Sequence, residues 1–246
     1  MGFEADGIQG VLFFHPSHHQ PDAREYWSKL FPEQDADGYQ KAATNSPTLA
    51  STAHGQIDGL LIRITAQVGR LDLVASAPQE LAAPSSQPPR LVNWDGATRL
   101  VAQLLKRIAA EARVFRAAMV IDLGQNLNPG QESAQILNCL PGFPFPSNVS
   151  DVSMQFNVPK PFSRSPDFQM NRLCSLAAGQ LALVAQLAGN PQPGQPMMMS
   201  SFLGLKVDVN SEPRVPLAPD LVDAAIDELA EEALAISRDG VGRLYL

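Results

Sequence analysis

Cysteine is nearly absent: Cys139 and Cys174 are the only two in 246 residues. They form no C-x-x-C pair, and two thiols are too few for a disulfide framework or a zinc ribbon. The expectation is two reduced, buried thiols in a cytoplasmic protein. Charge is scarce as well. Asp, Glu, Lys and Arg make up 17% of the chain, against ~25% in an ordinary globular protein. Gln, Asn, Ser, Thr and Pro must therefore cover much of the surface. There is no run of Lys and Arg, and the formal net charge is −7. Proteins held to a phosphate backbone normally show a basic stripe, so this composition argues against direct nucleic-acid binding.

Long apolar runs are missing too. The nearest candidate, Leu173–Ala188, is interrupted by Ser175, Gln180 and Gln186 and is short for the ~20 residues of a membrane span. No membrane association is expected. The start, Met1-Gly2-Phe3-Glu4-Ala5-Asp6, has no basic n-region, so no signal peptide is expected, and Asp6 disfavours N-myristoylation. Neither phosphate-cradling motif, G-x-x-x-x-G-K-S/T or G-x-G-x-x-G, occurs, and there is no G-x-S-x-G nucleophile elbow. No cofactor is expected. A thiol nucleophile would require His54 to meet Cys139 or Cys174 in space.

What is present is alternation. In Asp151–Val158, Val152, Met154, Phe156 and Val158 fall on one side, with Ser153, Gln155 and Asn157 on the other. Leu203–Val209 repeats the pattern. A period of two marks a half-buried antiparallel strand. Two stretches instead carry a helical period. Trp94–Ala112 has Leu100, Val101, Leu104, Leu105, Ile108 and Ala112 on one stripe, with Asp95 placed as its N-cap. Asp220–Ser237 has Leu221, Val222, Ala225, Ile226, Leu229, Ala233 and Ile236, with Pro219 at its start and Gly240 at its end. The fold class read from these signals is α+β, a mostly antiparallel sheet packed against two long amphipathic helices. With 45% hydrophobic residues, residues 1–246 are expected to form a single domain.

Other elements follow from local signals. Ile8–His15 reads as a strand and Asp22–Phe31 as a short helix stopped by Pro32. Glu33–Gln56 reads as loop. Ile57–Val68 and Leu71–Ser76 read as a hairpin turning near Gly69. Pro78–Pro89, with four prolines, reads as a mobile linker and the one place for a division of the domain. Phe115–Leu123 reads as a strand, and a short helix is expected at Gln131–Asn138 within a long loop. Pro159–Pro166 reads as loop and Met197–Asn210 as a strand, while Gln169–Leu187 fits either a helix or a strand pair, with Gly179 favouring two strands that turn there. No internal repeat at a fixed period is visible.

Three groups of residues could carry function. His15, His18 and His19 place three imidazoles within five residues, a possible transition-metal site. Asp122, Asp151 and Asp208, with Lys206, lie on or beside predicted strands, where a metal-dependent nuclease would gather carboxylates. The third group is the acidic side of the last helix, Asp220, Asp223, Asp227, Glu228, Glu231 and Glu232, with no base before Arg238. Acids at a helix N-terminus complement its dipole, but those farther along gain nothing that way. Asp223, Asp227, Glu228 and Glu231 are therefore candidates for docking a basic partner. Met197-Met198-Met199 would suit an adaptable surface, and the apolar tail Arg243-Leu244-Tyr245-Leu246 could extend a sheet edge.

The order of elements resembles a sporadically distributed family of bacterial proteins of unknown function. The resemblance rests on an opening strand, a short helix ending in Phe31-Pro32, a hairpin, Trp94 ahead of a long helix, the strand Phe115–Leu123, and a closing strand and helix at Leu203–Val209 and Leu221–Ile236. It implies no catalytic residues, and a place among accessory genes such as mobile-element or phage-defence loci. The function expected is a non-catalytic binding or assembly subunit whose partner is another protein or a second copy. The alternative is a metal-dependent hydrolase or nuclease.

Overall fold

The computed structural model describes residues 3–15, 22–42, 51–78, 89–127, 132–139, 146, 152–183, 198–212 and 216–245. From the N-terminus, strand β1 (Glu4–Phe14) leads to helix α1 (Ala23–Leu30). Strands β2 (Gly38–Lys41), β3 (Ser51–Ile57), β4 (Leu60–Gln67) and β5 (Arg70–Ser76) follow, and then helix α2 (Trp94–Ala109). The same order then recurs. Strand β6 (Val114–Leu127) leads to helix α3 (Glu132–Cys139), then β7 (Val152–Asn157), β8 (Lys160–Pro161), β9 (Gln169–Leu183), β10 (Met198–Ser211) and helix α4 (Val222–Asp239). The protein is α+β, and the ten strands among the described residues form one antiparallel sheet.

The strand order β2-β3-β4-β5-β1-β6-β10-β9-β7, with β8 also on β9, makes the recurrence structural. Each half begins with the central strand, and its last strand folds back beside that first one. The first strands pair antiparallel across the middle, with Ile8 opposite Ile121 and Leu12 opposite Ala117. The closing helix of each half lies on its own first strand, α2 on β1 and α4 on β6, and the two helices pack on each other. This is the arrangement of a two-fold axis through the β1–β6 seam. The repeat is one of order, which explains why no sequence period reveals it.

Alternation decides which side chains meet the helices. Ile8, Leu12 and Phe14 of β1, Leu71 and Leu73 of β5, Met119, Ile121 and Leu123 of β6, and Leu203, Leu205, Val207 and Val209 of β10 are buried in one core. Val101, Leu104, Leu105 and Ile108 of α2 and Ile226, Leu229, Ala233 and Ile236 of α4 close on them. Gly10 lets α2 come down onto β1: a Cβ there would fall 2.5 Å from a Leu105 methyl and 2.7 Å from a Val101 methyl.

Several expectations are corrected. The stretch Ile57–Val68 contains a turn at Asp58-Gly59, both at positive φ. It separates β3 from β4, and Asp-Gly is itself a strong hairpin signal. The hairpin turn expected near Gly69 is present, between β4 and β5. Glu33–Gln56 is not all loop, since it holds β2 and most of β3. Gln169–Leu187 does not turn at Gly179: β9 runs through it, with Gly179 paired to Phe202. Pro159–Pro166 includes the short pairing of β8. Asn93, not Asp95, caps α2, its side-chain oxygen accepting from the Gly96 N–H at 3.0 Å. The tail does not join an edge of its own sheet: Val241–Tyr245 forms a 3-10 turn with Leu244 buried. The linker residues 79–88 lie outside the described residues.

Candidate functional site

Helix α4 and the 3-10 turn Pro219–Leu221 before it carry acids, and the fold sorts those from Asp220 to Glu232 into three environments. The first is the flank facing α2. The helices run antiparallel, so acids of α4 meet bases of α2. Asp227 Oδ1 accepts from Lys106 Nζ at 2.7 Å, Glu231 faces Arg99 at 3.2 Å, and Arg238 pairs with Asp95. The basic counterpart of these acids is the other half of the same chain.

The second environment faces the outer strands of the C-terminal half. Glu228 Oε1 accepts from the Ser163 N–H at 2.6 Å and from its hydroxyl at 2.8 Å. Glu232 is buried, its side chain 7% exposed, beside Arg172 at 4%. It accepts from Arg172 Nη1 at 2.9 Å and from Lys160 Nζ at 2.7 Å. Arg172 spends its other donors on the Val158 carbonyl at 3.0 Å and the Leu244 carbonyl at 2.9 Å, which ties the C-terminal turn to β9. Burial alone would raise the Glu232 carboxyl. The hydrogen bonds and charges of Lys160 and Arg172 together outweigh it and hold its pKa below the usual glutamate value.

The third environment is the start of α4. There α2 ends, β6 begins and α4 departs, leaving a cleft of about 490 Å³, within the usual range for ligand sites. Backbone hydrogen bonds shape it: His15 N–H donates to the Arg113 carbonyl at 2.8 Å, and Leu217 N–H to the Phe115 carbonyl at 2.9 Å. Alanines at the end of α2, with Val114, Phe115 and Leu217, give it apolar walls, while His15, Arg113, Asp220 and Asp223 border it with exposed polar groups. Among the described residues, Asp220, Asp223 and the Arg113 guanidinium have no hydrogen-bond or ion-pair partner.

The candidates read from the sequence are thus dispersed and recombined. His15 and Asp223, assigned above to different groups, border the same cleft. His18, His19, Met197 and Asp151 lie outside the described residues. Among the described residues, no three His, Cys, Asp or Glu side chains are grouped to hold a metal ion. Asp122 faces Lys206 across the β6–β10 ladder at 3.6 Å, and Asp208 accepts from Asn210 at 2.8 Å. His54 on β3 and Cys174 on β9 are six strands apart in the sheet, so that thiol–imidazole pair does not form. Burial pushes the Cys174 thiol up to about 12, a protonated and unreactive state. Arg113 and the Arg172–Glu232 pair were missed in the sequence. Glu232 had a signal: it falls between Leu229 and Ile236, on the apolar stripe, where an acid needs a buried partner. No family model matches this chain, and neither a curated protein nor a solved structure is significantly similar to it.

Proposed function

We propose that this chain is a binding or assembly subunit, without catalysis of its own, that takes a segment of another protein at the cleft beside the start of α4. One observation carries the reading: among the described residues Arg113, Asp220 and Asp223 at the cleft have no ion-pair partner, whereas Asp227, Glu228, Glu231 and Glu232 farther along α4 are engaged by their own chain. Charges already satisfied have little to offer a partner, and unsatisfied ones around an apolar floor do. The docking surface expected over Asp223, Asp227, Glu228 and Glu231 is thereby narrowed to Asp223 and its neighbour Asp220. The resemblance in element order supports an accessory bacterial system, such as a phage-defence locus, as the setting.

The test is co-expression with the products of neighbouring genes, followed by light scattering of the purified species. A stoichiometric complex is expected, lost on Asp220→Lys with Asp223→Lys and retained on Asp227→Asn with Glu231→Gln. Metal-dependent hydrolysis of a phosphodiester by the purified chain alone, abolished by His15→Ala, would instead establish the hydrolase or nuclease alternative.

A further inference from the structure

We infer that the cleft at the start of α4 recognises a basic side chain, arginine or lysine, presented by a segment of a partner protein. The inference rests on the binding-subunit reading and names the chemistry of its ligand. Elsewhere on the helix layer, opposite charges meet: Lys106 with Asp227, Arg99 with Glu231, Arg238 with Asp95. Around the cleft, among the described residues, they do not. Asp220 stands in the 3-10 turn Pro219–Leu221 and Asp223 in the first turn of α4, and Arg113, across from them where α2 gives way to β6, reaches neither within ion-pair distance. The last turn of α2 brings the partial negative charge of a helix C-terminus to this end, and the first turn of α4 brings a partial positive charge that offsets it. With the two dipoles opposed, the described side chains set two carboxylates, Asp220 and Asp223, against one guanidinium, Arg113, and this balance favours a positive ligand. Its walls favour a long one. Ala109, Val114, Phe115 and Leu217 offer apolar surface on which the methylene stem of an arginine or lysine can lie while its head reaches the carboxylates. A guanidinium can also address two carboxylates at once.

The full chain, labelled with nitrogen-15, is titrated with three capped tetrapeptides that differ at one position: Ac-Ala-Ala-Arg-Ala-NH2, the citrulline version of equal shape without the charge, and the glutamate version. Saturable amide shifts are expected at Val114, Phe115 and Asp223 with the arginine peptide, and binding about ten-fold weaker for citrulline, as loss of a charge-assisted contact implies. Asp220→Asn with Asp223→Asn, exposed and isosteric, should abolish the preference for arginine. Asp227→Asn with Glu231→Gln should leave it. Equal binding of arginine and citrulline, survival of the preference without Asp220 and Asp223, or no binding by any peptide would overturn the inference. A stoichiometric complex with another protein that forms despite such a result would leave the subunit reading standing, so the two failures are distinguishable.

Discussion

The two halves of the molecule share an order of elements and differ in what fastens their outer strands to the helices. In the N-terminal half the fastening is aromatic. Trp27 of α1, 1% exposed, lies over β3, where Gly55 leaves room for its ring, and its indole N–H donates to the Gln34 carbonyl at 2.8 Å. Phe31 packs beside it, with ring centroids 4.7 Å apart and the planes tilted by 52°. In the C-terminal half the fastening is ionic: Arg172 of β9 holds Glu232 of α4 and the carbonyls of Val158 and Leu244. One topology is thus closed by apolar area in one half and by a desolvated charge pair in the other. Apolar burial does not depend on pH. A buried carboxylate does.

The largest effects should come from removing either fastening. Trp27→Ala should cost about 3–5 kcal/mol at any pH where the protein folds. Glu232→Ala should cost a similar ~3–5 kcal/mol at neutral pH, because it strands the buried Arg172 guanidinium. Urea denaturation of both variants at several pH values checks the contrast, since only the Glu232 deficit should shrink in acid. Next come the glycines. Gly55→Ala should cost about 1–3 kcal/mol by overpacking, because its Cβ would fall 2.8 Å from the Trp27 ring. Gly204→Ala in β10, whose Cβ meets nothing nearer than 3.7 Å, should stay within about 0.5 kcal/mol. A smaller gain is expected at Tyr26, whose buried hydroxyl has no partner among the described residues. Tyr26→Phe should raise stability by about 1 kcal/mol. The smallest effect belongs to the exposed pair of α2 and α4: Lys106→Ala should cost under ~1 kcal/mol and less in high salt.

The same contrast explains what could be read from the sequence. Strands with large apolar residues on one face, Val152–Asn157 and Leu203–Val209, were legible from their alternation. β3 was not, because Ser51, Ala53 and Gly55 are small on the face that α1 covers. Its Ser51 hydroxyl accepts from the Ala23 N–H at 2.7 Å, so helix and strand lie close, and small residues there look like loop. β9 was misread because Gly179 suggests a turn, while its register against β10 continues unbroken. The acids of α4 were legible as a group. Their sorting was not, because it depends on α2 and β9, which are distant in sequence. The cleft joins His15 to Asp223 through the seam between the halves, and no local pattern encodes that seam.

Charge fastens the outer strands of the C-terminal half, and apolar area those of the N-terminal half. Glu232 has its folded-state pKa depressed, so its contribution is complete above the ordinary glutamate value of ~4.3. It is lost as pH falls through the lowered one. Acid also weakens the N-cap of α1, where hydrogen bonds from the backbone and Tyr39 outweigh burial and hold Asp22 low, but a cap is worth only ~1 kcal/mol. Hydrogen exchange by mass spectrometry from neutral pH to below about pH 4, corrected for intrinsic rates, compares the halves directly. In acid β9, the start of β8 and the turn Val241–Tyr245 should lose protection while β3, β4 and β5 keep theirs, and Glu232→Gln should show this opening already at neutral pH. Loss of protection in β3 and β4 first, or in both halves together, would contradict it.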